Sequence, residues 1–321
     1  MMEPIRLAPV FKDYIWGGTQ LRNRFGKDPE GKGILAESWE LSTHPDGESV
    51  VARGPSAGKP FFECIKECPQ RIVGSKAESV DIPILIKFID AREDLSVQVH
   101  PSNEYARRVE GDNGKTEMWV VMSHAPGAAL YYGMRETLTK DQVRERIADR
   151  TIMDALNRVE VEDGDVFFIP AGTIHAIGAG MMICEIQQRS NVTYRLYDYG
   201  RVGKDGRPRE LHIDKALDVA DLNAMVPYRR EEVTLCKNES YTLKLLDACQ
   251  YFQTYEYELT SGVGFATTNK TFVCLVVLSG TQSLAFDHGV MSLKAGDTVF
   301  LPAQEADYQL KGVGKVLAVS L

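Results

Sequence analysis

The chain has few cysteines for its size, and their spacing does not suit the common cysteine-based frameworks. Six cysteines are scattered over 321 residues, which argues against a disulfide-stapled domain. Cys64 and Cys68 lie four residues apart, but no second pair is placed to complete a metal site with them. Reduced, buried thiols are therefore expected.

Long apolar runs and long basic runs are also missing. No segment brings together the roughly 18 apolar residues that a membrane helix requires. The first residues, MMEPIRLAPVFKDYIWGG, lack a charged leader before an apolar stretch, so we expect a cytoplasmic protein that is not in a membrane. The formal charge of −8 and the pI near 5.4 argue against nucleic acid as a partner. An anionic small molecule would need only a few local cations.

Proline is sparse, and the strand pattern is strong. With 14 prolines and 44% hydrophobic residues, the composition is that of a folded globular protein. Alternating apolar and β-branched residues, separated by turn-forming residues, predict strands and favour a sandwich or barrel. The segments are PILIKFI, LSVQVH, MWVVM, DVFFIP, YEYEL, CLVVL and TVFLP.

Two segments have the pattern of helices. Residues 139–158 (TKDQVRERIADRTIMDALNR) begin with a Thr139-x-x-Gln142 capping box and carry an apolar stripe, which predicts a helix. A shorter helix is expected near 212–224. The sequence PYRREEV, within 225–235, is a plausible boundary between domains.

An internal repeat is the most informative feature. EDGDVFFIPA at 162–171 reappears as KAGDTVFLPA at 294–303, and WVVMS at 119–123 matches LVVLS at 275–279. The interval between the motifs is 24 residues longer in the first copy, about the length of the predicted helix with its connections. The Gly-Asp-x-x-x-[Ile/Leu]-Pro pattern resembles the second motif of the cupin jelly-roll fold, which indicates fold and not chemistry.

These patterns predict a mainly β fold of two cupin-like jelly-roll β-barrel units, with a small helical insertion in the first. We expect a catalytic cupin-like domain at 1–230, with the helical insertion near 136–158. A C-terminal cupin-like domain that lacks metal ligands is expected at 231–321. It should pack against the first unit and stabilise it.

The two copies differ in residues that could bind a metal. Aligning the Gly-Asp turns places His175 opposite Asp307, and aligning the other motif places Glu117 opposite Val273. A shared scaffold would keep its turn residues in both copies. It does not explain why only the first copy has these metal-binding side chains.

A candidate metal site follows from this difference. In SVQVHP, residues i and i+2 of a strand share a face, so Gln98 and His100 should point into the same space as the other two side chains. Imidazole, carboxylate and amide donors suit zinc, and the candidate ligands are Gln98, His100, Glu117 and His175. The alternative is that the histidines are hydrogen-bonded core residues and that Glu117 pairs with Lys115.

Several longer segments closely resemble the type I phosphomannose isomerase family, short bacterial class. They are WGG at 16–18, ESWELSTHPDG at 37–47, LSVQVHPSNEYA at 95–106, GKTEMW at 114–119, IPAGTIHAIGAG at 169–180 and QQRSNVTYRLYDYGR at 187–201. The resemblance implies one zinc ion per chain, bound by the same four residues that the repeat comparison selects. It also implies isomerisation between mannose 6-phosphate and fructose 6-phosphate through an enediol or enediolate.

The resemblance also implies roles for five other residues. Arg195 matches the catalytic arginine of the family, and Glu185 matches a glutamate proposed as the proton-transferring base, with Lys115 as its rival. Lys87 and Ser96 match positions on the phosphate side. The alternative for Arg195 is a surface arginine paired with Asp198.

Two other functions fit parts of the pattern. Two histidines and one carboxylate in a cupin barrel also describe mononuclear iron oxygenases, and activity without oxygen would separate the two classes. A non-catalytic protein that binds sugar phosphates would bind ligand without turnover. The expected partner is a small phosphosugar, and the sequence predicts no oligomeric state.

Overall fold

The computed structural model of the chain describes residues 2–28, 30–77, 81–203, 206–227, 231 and 233–321, and most of its regular structure is β. The mainly β, cupin-type fold class predicted from the sequence is confirmed. In the part of the chain N-terminal to residue 228, the strands are β1 (Ile5–Ala8), β2 (Val10–Lys12), β3 (Glu37–Leu41), β4 (Thr43–His44), β5 (Gly47–Glu48), β6 (Val50–Val51), β7 (Ile84–Ala91), β8 (Val97–Val99), β9 (Glu117–His124), β10 (Ala129–Met134), β11 (Leu156–Glu160), β12 (Val166–Ile169), β13 (His175–Ile177), β14 (Met181–Gln188) and β15 (Tyr194–Tyr197).

The C-terminal part consists of strands, and the helices lie before it. The strands are β16 (Val233–Lys237), β17 (Tyr241–Ala248), β18 (Gln253–Leu259), β19 (Gly262–Thr267), β20 (Val273–Val277), β21 (Thr281–Phe286), β22 (Gly289–Lys294), β23 (Thr298–Leu301) and β24 (Ala306–Ser320). The helices are α1 (Gln20–Phe25), α2 (Phe61–Glu67), α3 (Pro69–Val73), α4 (Asn103–Val109), α5 (Lys140–Ala148) and α6 (Ile213–Val219), with a 3₁₀ helix at Ile152–Ala155. Among the described residues, no helix is long and apolar enough to cross a membrane.

Two sheets form the first unit, and a third sheet extends into the second. The order of one is β12-β9-β14-β7-β3-β2, and the order of the sheet opposite it is β11-β10-β13-β8-β15. Buried side chains such as Ile89, Trp119 and Ile183 from the first sheet and Leu130 and Ile177 from the second share one hydrophobic cluster. The two sheets therefore pack face to face.

The sequence repeat corresponds to a repeated strand pairing. Trp119 in β9 lies opposite Phe167 in β12, and Leu275 in β20 lies opposite Val299 in β23, which is the same register in both copies. In each copy an aspartate carboxylate in the turn accepts a hydrogen bond from the backbone three residues earlier, at 2.7 Å in one and 2.9 Å in the other. The repeated sequence motif thus specifies a turn and the strand that follows it.

The helical insertion lies between two strands that form a simple hairpin in the second copy. There, Phe286 faces Gly289 across a two-residue turn between β21 and β22. In the first copy, the equivalent antiparallel pair β10 and β11 is interrupted by α5 and the 3₁₀ helix. The helical insertion therefore lies at the tip of the β10–β11 hairpin.

The predicted helix over 139–158 is wrong in its second half. The Thr139–Gln142 capping box forms as predicted, but α5 ends at Ala148 and Arg150 has a positive φ of 67°, which a helix does not allow. The 3₁₀ turn follows, and residues 156–158 belong to β11, where Val159 lies opposite Leu130. Pairing with β10 outweighs the helical pattern at this end of the segment.

The two units share a large core. Buried side chains of the β7–β14 sheet, such as Phe88 and Ile186, lie in one cluster with Phe252, Phe272 and Phe300 of the C-terminal part. The interior of the C-terminal unit is filled by a separate apolar cluster. The C-terminal unit therefore packs against the first one, as predicted.

A buried polar contact also joins the units. Lys27 Nζ donates to a Glu40 carboxylate oxygen at 2.8 Å and to the carbonyl of Gly296 at 2.5 Å, and Thr298 Oγ1 donates to Glu40 at 2.9 Å. Gly296 has a φ of 91°, and a Cβ atom there would lie 2.7 Å from Phe25. Its counterpart Gly164 has a φ of 93° and open space around that position.

The N-terminal strands add to the C-terminal sheet. β1 pairs with β23, where Ile5 lies opposite Phe300, and with β6 on its other side. The predicted domain division at 230/231 falls where residues 228–230 and 232 lie outside the described residues, and it stays a prediction.

Candidate active site and metal centre

Neighbouring strands from both sheets of the first unit bring the predicted metal ligands together. β8 pairs with β13, so that Gln98 lies opposite His175, and with β15, so that Gln98 also lies beside Arg195. His100 directly follows β8, and Glu117 begins β9 in the facing sheet. Because side chains alternate along a strand, Gln98 and His100 share a face.

Backbone carbonyls bind the same ring nitrogen, Nδ1, in both histidines. Nδ1 of His100 lies 2.9 Å from the carbonyl oxygen of Val192, and Nδ1 of His175 lies 2.9 Å from that of Thr173. A carbonyl can only accept, so each Nδ1 carries the proton and each Nε2 presents its lone pair to the cluster, where that of His100 accepts a hydrogen bond from Lys115 Nζ at 3.1 Å. The Nε2 atoms lie 3.4 Å from the two oxygens of Glu117. Histidines that bind metals are anchored in this way.

The donor set fits a divalent metal ion. Donor atoms of His100, Glu117 and His175 all lie within 4.8 Å of one another, and all three residues are buried. Glu117 Oε1 is buried and accepts no hydrogen bond from the described residues, which is costly unless a cation approaches it. Gln98 presents its Nε2 to His175 at 3.4 Å, and half a turn of the amide would present its oxygen there.

A row of alternating charges runs from the metal ligands into the cavity. Lys115 Nζ hydrogen-bonds Glu117 and lies 3.6 Å from Glu185 Oε1. Lys87 Nζ lies 3.3 Å from that same Glu185 oxygen and 3.8 Å from Glu37 Oε2. None of the five side chains is more than 10% exposed. We call this row, Glu117–Lys115–Glu185–Lys87–Glu37, the ion-pair ladder.

The protonation states of the ligand cluster suit metal binding. Burial lowers the pKa of His175 to about 4, and burial together with the Lys115 ammonium lowers the pKa of His100 well below its usual value. Both rings are therefore neutral at pH 7. Burial and the Glu185 carboxylate raise the pKa of Glu117 to about 7 against the opposing charge of Lys115. A metal ion would therefore need to displace at most the one proton on Glu117.

The pKa shifts of Glu185 and Lys87 keep both side chains charged at neutral pH. Burial alone would raise the pKa of Glu185, but the ammonium groups of Lys115 and Lys87 outweigh it and the pKa is lowered. Burial alone would lower the pKa of Lys87, but the carboxylates of Glu37 and Glu185 outweigh it and the pKa is raised. Each buried charge therefore depends on its neighbours.

A cavity of about 230 Å³ opens onto this ladder. Arg195 lies on its wall, where Nε donates to Ser96 Oγ at 3.3 Å and Nη1 donates to the backbone carbonyl of Glu210 at 2.7 Å. Six of the nine predicted site residues line the cavity, namely Lys87, Ser96, Gln98, Lys115, Glu185 and Arg195. The structure thus brings the predicted residues into one place, while their individual roles stay predictions.

The structure also identifies residues that the sequence did not. Glu37 ends the ion-pair ladder and accepts a hydrogen bond from Trp39 Nε1 at 2.6 Å, and Trp119 Nε1 donates to Glu185 at 3.1 Å. Glu37 and Trp39 are two residues apart in β3 and so share a face, but no strand was predicted there. Arg209 lines the cavity as well, with no local pattern that points to it.

Family models and similar proteins show which family the chain belongs to. The model described as the phosphomannose isomerase type I catalytic domain matches residues 5–131, and that of the mannose-6-phosphate isomerase cupin domain matches residues 241–321. The mannose-6-phosphate isomerase of Streptococcus mutans is 36% identical over 318 residues, which cover 99% of this chain and 98% of that protein. The chain belongs to the type I phosphomannose isomerase family. The relative ManA of Bacillus subtilis, named a mannose-6-phosphate isomerase, is 35% identical over 320 residues, 99% of each chain.

Solved structures of phosphomannose isomerases share the fold. The crystal structure of the mannose 6-phosphate isomerase from Bacillus subtilis matches with a TM-score of 0.92 and 35% identity, covering 100% of both chains. A mutant of the phosphomannose isomerase from Salmonella typhimurium matches with a TM-score of 0.78 and 15% identity, covering 99% of both chains. At that identity, the second match shows the fold alone. The family membership predicted from the motifs is confirmed.

Proposed function

We propose that this protein interconverts mannose 6-phosphate and fructose 6-phosphate, with one zinc ion bound by Gln98, His100, Glu117 and His175. The observation that carries the proposal is the pair of neutral imidazoles facing Glu117 beside a cavity that contains a fixed arginine and a buried carboxylate. The names of the full-length relatives support the substrate. N and O donors in this number support zinc.

The reaction requires a proton to move between two neighbouring carbons of the sugar. Zinc, when bound, would polarise the sugar oxygens and so make the proton on the adjacent carbon more acidic. Glu185 is the proposed base because it is ionised and lines the cavity. It would take the proton from C2 of the aldose and return it to C1, while the hydroxyl proton passes from O2 to O1, so that substrate and product have the same composition.

Other charged groups would hold the reacting oxygens. Lys115 lies between Glu117 and Glu185 and can donate a proton to an oxygen that gains charge, which makes it the rival for part of the proton transfer. Arg195 is fixed by Ser96 and the Glu210 carbonyl and would stabilise the enediolate by charge-assisted hydrogen bonds. A site held in this way needs little reorganisation during the reaction.

The proposed function is tested by an anaerobic assay. Purified protein would be given mannose 6-phosphate in matched samples, one loaded with zinc and one treated with a chelator. We expect fructose 6-phosphate in the first sample, loss of turnover in the second and recovery when zinc returns. A zinc-loaded sample that produces no fructose 6-phosphate would contradict the proposal.

A second candidate function rests on the same three ligands. His100, Glu117 and His175 alone would also suit a mononuclear iron oxygenase. Gln98 as a fourth ligand and the Arg195 guanidinium on the cavity wall favour zinc and a phosphosugar instead. Activity that requires both ferrous iron and oxygen would select the second candidate.

We also propose a cytoplasmic location. All six cysteines are free thiols, as expected for a reducing compartment. The proposed partner is a small phosphosugar, and neither nucleic acid nor a membrane enters the proposal.

A further inference from the structure

The inner part of the cavity is poor in free positive charge. The ion-pair ladder contains three carboxylates and only two ammonium groups. Its Lys87 is paired with Glu185 and Glu37 and has a side chain only 5% exposed. A phosphate placed against Lys87 would also face these two carboxylates, which repel it.

The outer part of the cavity has the opposite balance. Asp198 accepts from Arg209 Nε at 2.7 Å and from its Nη2 at 2.5 Å, and it also accepts from Arg201. Arg195 is close enough to both arginines for their charges to lower its pKa, after the larger effect of burial. Three guanidinium groups thus surround one carboxylate.

Arg209 is placed at the accessible end of the cavity. Its side chain is 21% exposed, whereas those of His100, Glu117 and His175 are at most 2% exposed. Asp198 holds it through two parallel hydrogen bonds, so the guanidinium is oriented before a ligand arrives. Arg209 lines the same cavity as Arg195, so its guanidinium can meet an anionic group of a ligand there.

We infer that Arg209 binds the phosphate of the substrate at the accessible end of the cavity. The inference rests on the proposed function, since it takes the ligand to be a phosphosugar. The proton moves between C1 and C2, whereas the phosphate is on C6 at the other end of the chain. A substrate whose C1 and C2 lie near the metal ligands therefore extends its phosphate away from them. The predictions for Lys87 and Ser96 on the phosphate side remain untested.

The first test compares Arg209→Met with Arg207→Met, a matched control at an exposed arginine two residues earlier in the same segment. Calorimetry would measure the dissociation constant of inorganic phosphate in zinc-loaded and in chelated protein, which separates binding at the arginines from binding at the metal. Loss of a charge-assisted contact predicts a rise of roughly 10- to 100-fold for Arg209→Met. The control should stay within about twofold.

Kinetics and a second variant exclude a structural effect. In Arg209→Met, KM for mannose 6-phosphate should rise by a similar factor while kcat changes by less than about threefold. Arg209→Lys keeps the charge but not the planar fork, so its phosphate affinity should lie between those of the wild type and Arg209→Met at an unchanged melting temperature. Phosphate dissociation constants equal to those of the Arg207→Met control in both variants would overturn the inference.

The two proposals can fail separately. If the wild-type protein binds phosphate through Arg209 but does not convert mannose 6-phosphate, the phosphate site is supported and the isomerase activity is refuted. If the wild-type protein converts the sugar and Arg209→Met has an unchanged KM and an unchanged phosphate affinity, the isomerase activity is supported and the phosphate role of Arg209 is refuted.

Discussion

Replacing Lys87 by methionine would leave two buried carboxylates without their shared cation. Methionine has a similar length and suits the apolar strand PILIKFI, so the change removes charge with little loss of packing. Glu185 and Glu37 lie 3.3 and 3.8 Å from Lys87 Nζ. Removing one partner of a buried ion pair costs about 3–5 kcal/mol. With an unfolding entropy of about 2.1 cal/mol/K per residue, 1 kcal/mol corresponds to about 1.5 °C for 321 residues, so the melting temperature should fall by roughly 4–8 °C.

The loss should depend on pH and on Glu185. Without Lys87, the pKa of Glu185 would be raised, and the folded state would hold a proton that the unfolded state releases. Stability then rises as the pH falls toward the unfolded pKa, so the deficit should shrink between pH 8 and pH 5. Adding Glu185→Gln to Lys87→Met should recover part of the stability, since without Lys87 the buried Glu185 carboxylate keeps only Lys115, at 3.6 Å, to offset its burial.

The assay is urea unfolding with chelator present, so that metal binding does not enter the comparison. Lys59→Met is the matched control, because Lys59 pairs with Glu67 at 3.3 Å while both side chains are about half exposed. An exposed pair of this kind contributes about 0–1 kcal/mol. The reasoning is refuted if Lys87→Met costs no more than the control, or if its cost is the same at pH 8 and pH 5.

Three further predictions concern the metal ligands and the repeated turn. His100→Ala should remove bound zinc and activity together, whereas His124→Ala, outside the ligand cluster, should retain both. Elemental analysis of the purified protein measures the metal. An active, metal-free His100→Ala variant would contradict the site. Because the pKa of Glu117 is raised to about 7, apparent zinc affinity should fall as the pH drops below 7 and level off above it, as measured by competition with a chelating dye; affinity that does not change with pH would contradict this. Gly296→Ala should destabilise the protein by about 1–3 kcal/mol more than Gly164→Ala. Both positions have positive φ, but only at Gly296 would the added Cβ atom also clash with a neighbour. Urea unfolding measures both losses, and equal losses would refute this.

Local patterns predicted the strands and the repeated turns well. The alternation in LSVQVH fixes the face shared by Gln98 and His100, and the Gly-Asp motif has one role in both copies. The error over 139–158 arose because Arg150 ends the helical path and the following residues pair with β10. That pairing partner is distant in sequence, so no local pattern reveals it.

The metal cluster was more predictable than the charges around it. The comparison of the two copies identified His175 and Glu117, since one copy retains the scaffold without them. The ion-pair ladder joins Glu37, Lys87 and Glu185, which lie on three strands paired only in the folded sheet. Their mutual dependence is a property of the register, and it could not be read from any one segment.

The pairing of β1 with β23 has a consequence for how the chain is made. Ile5 is synthesised long before its partner Phe300. Contacts between residues so distant in sequence form slowly, because a long loop must close first. β1 can pair with β6 early, but its other edge stays open until β23 has been made. That edge would need protection from other strands during synthesis.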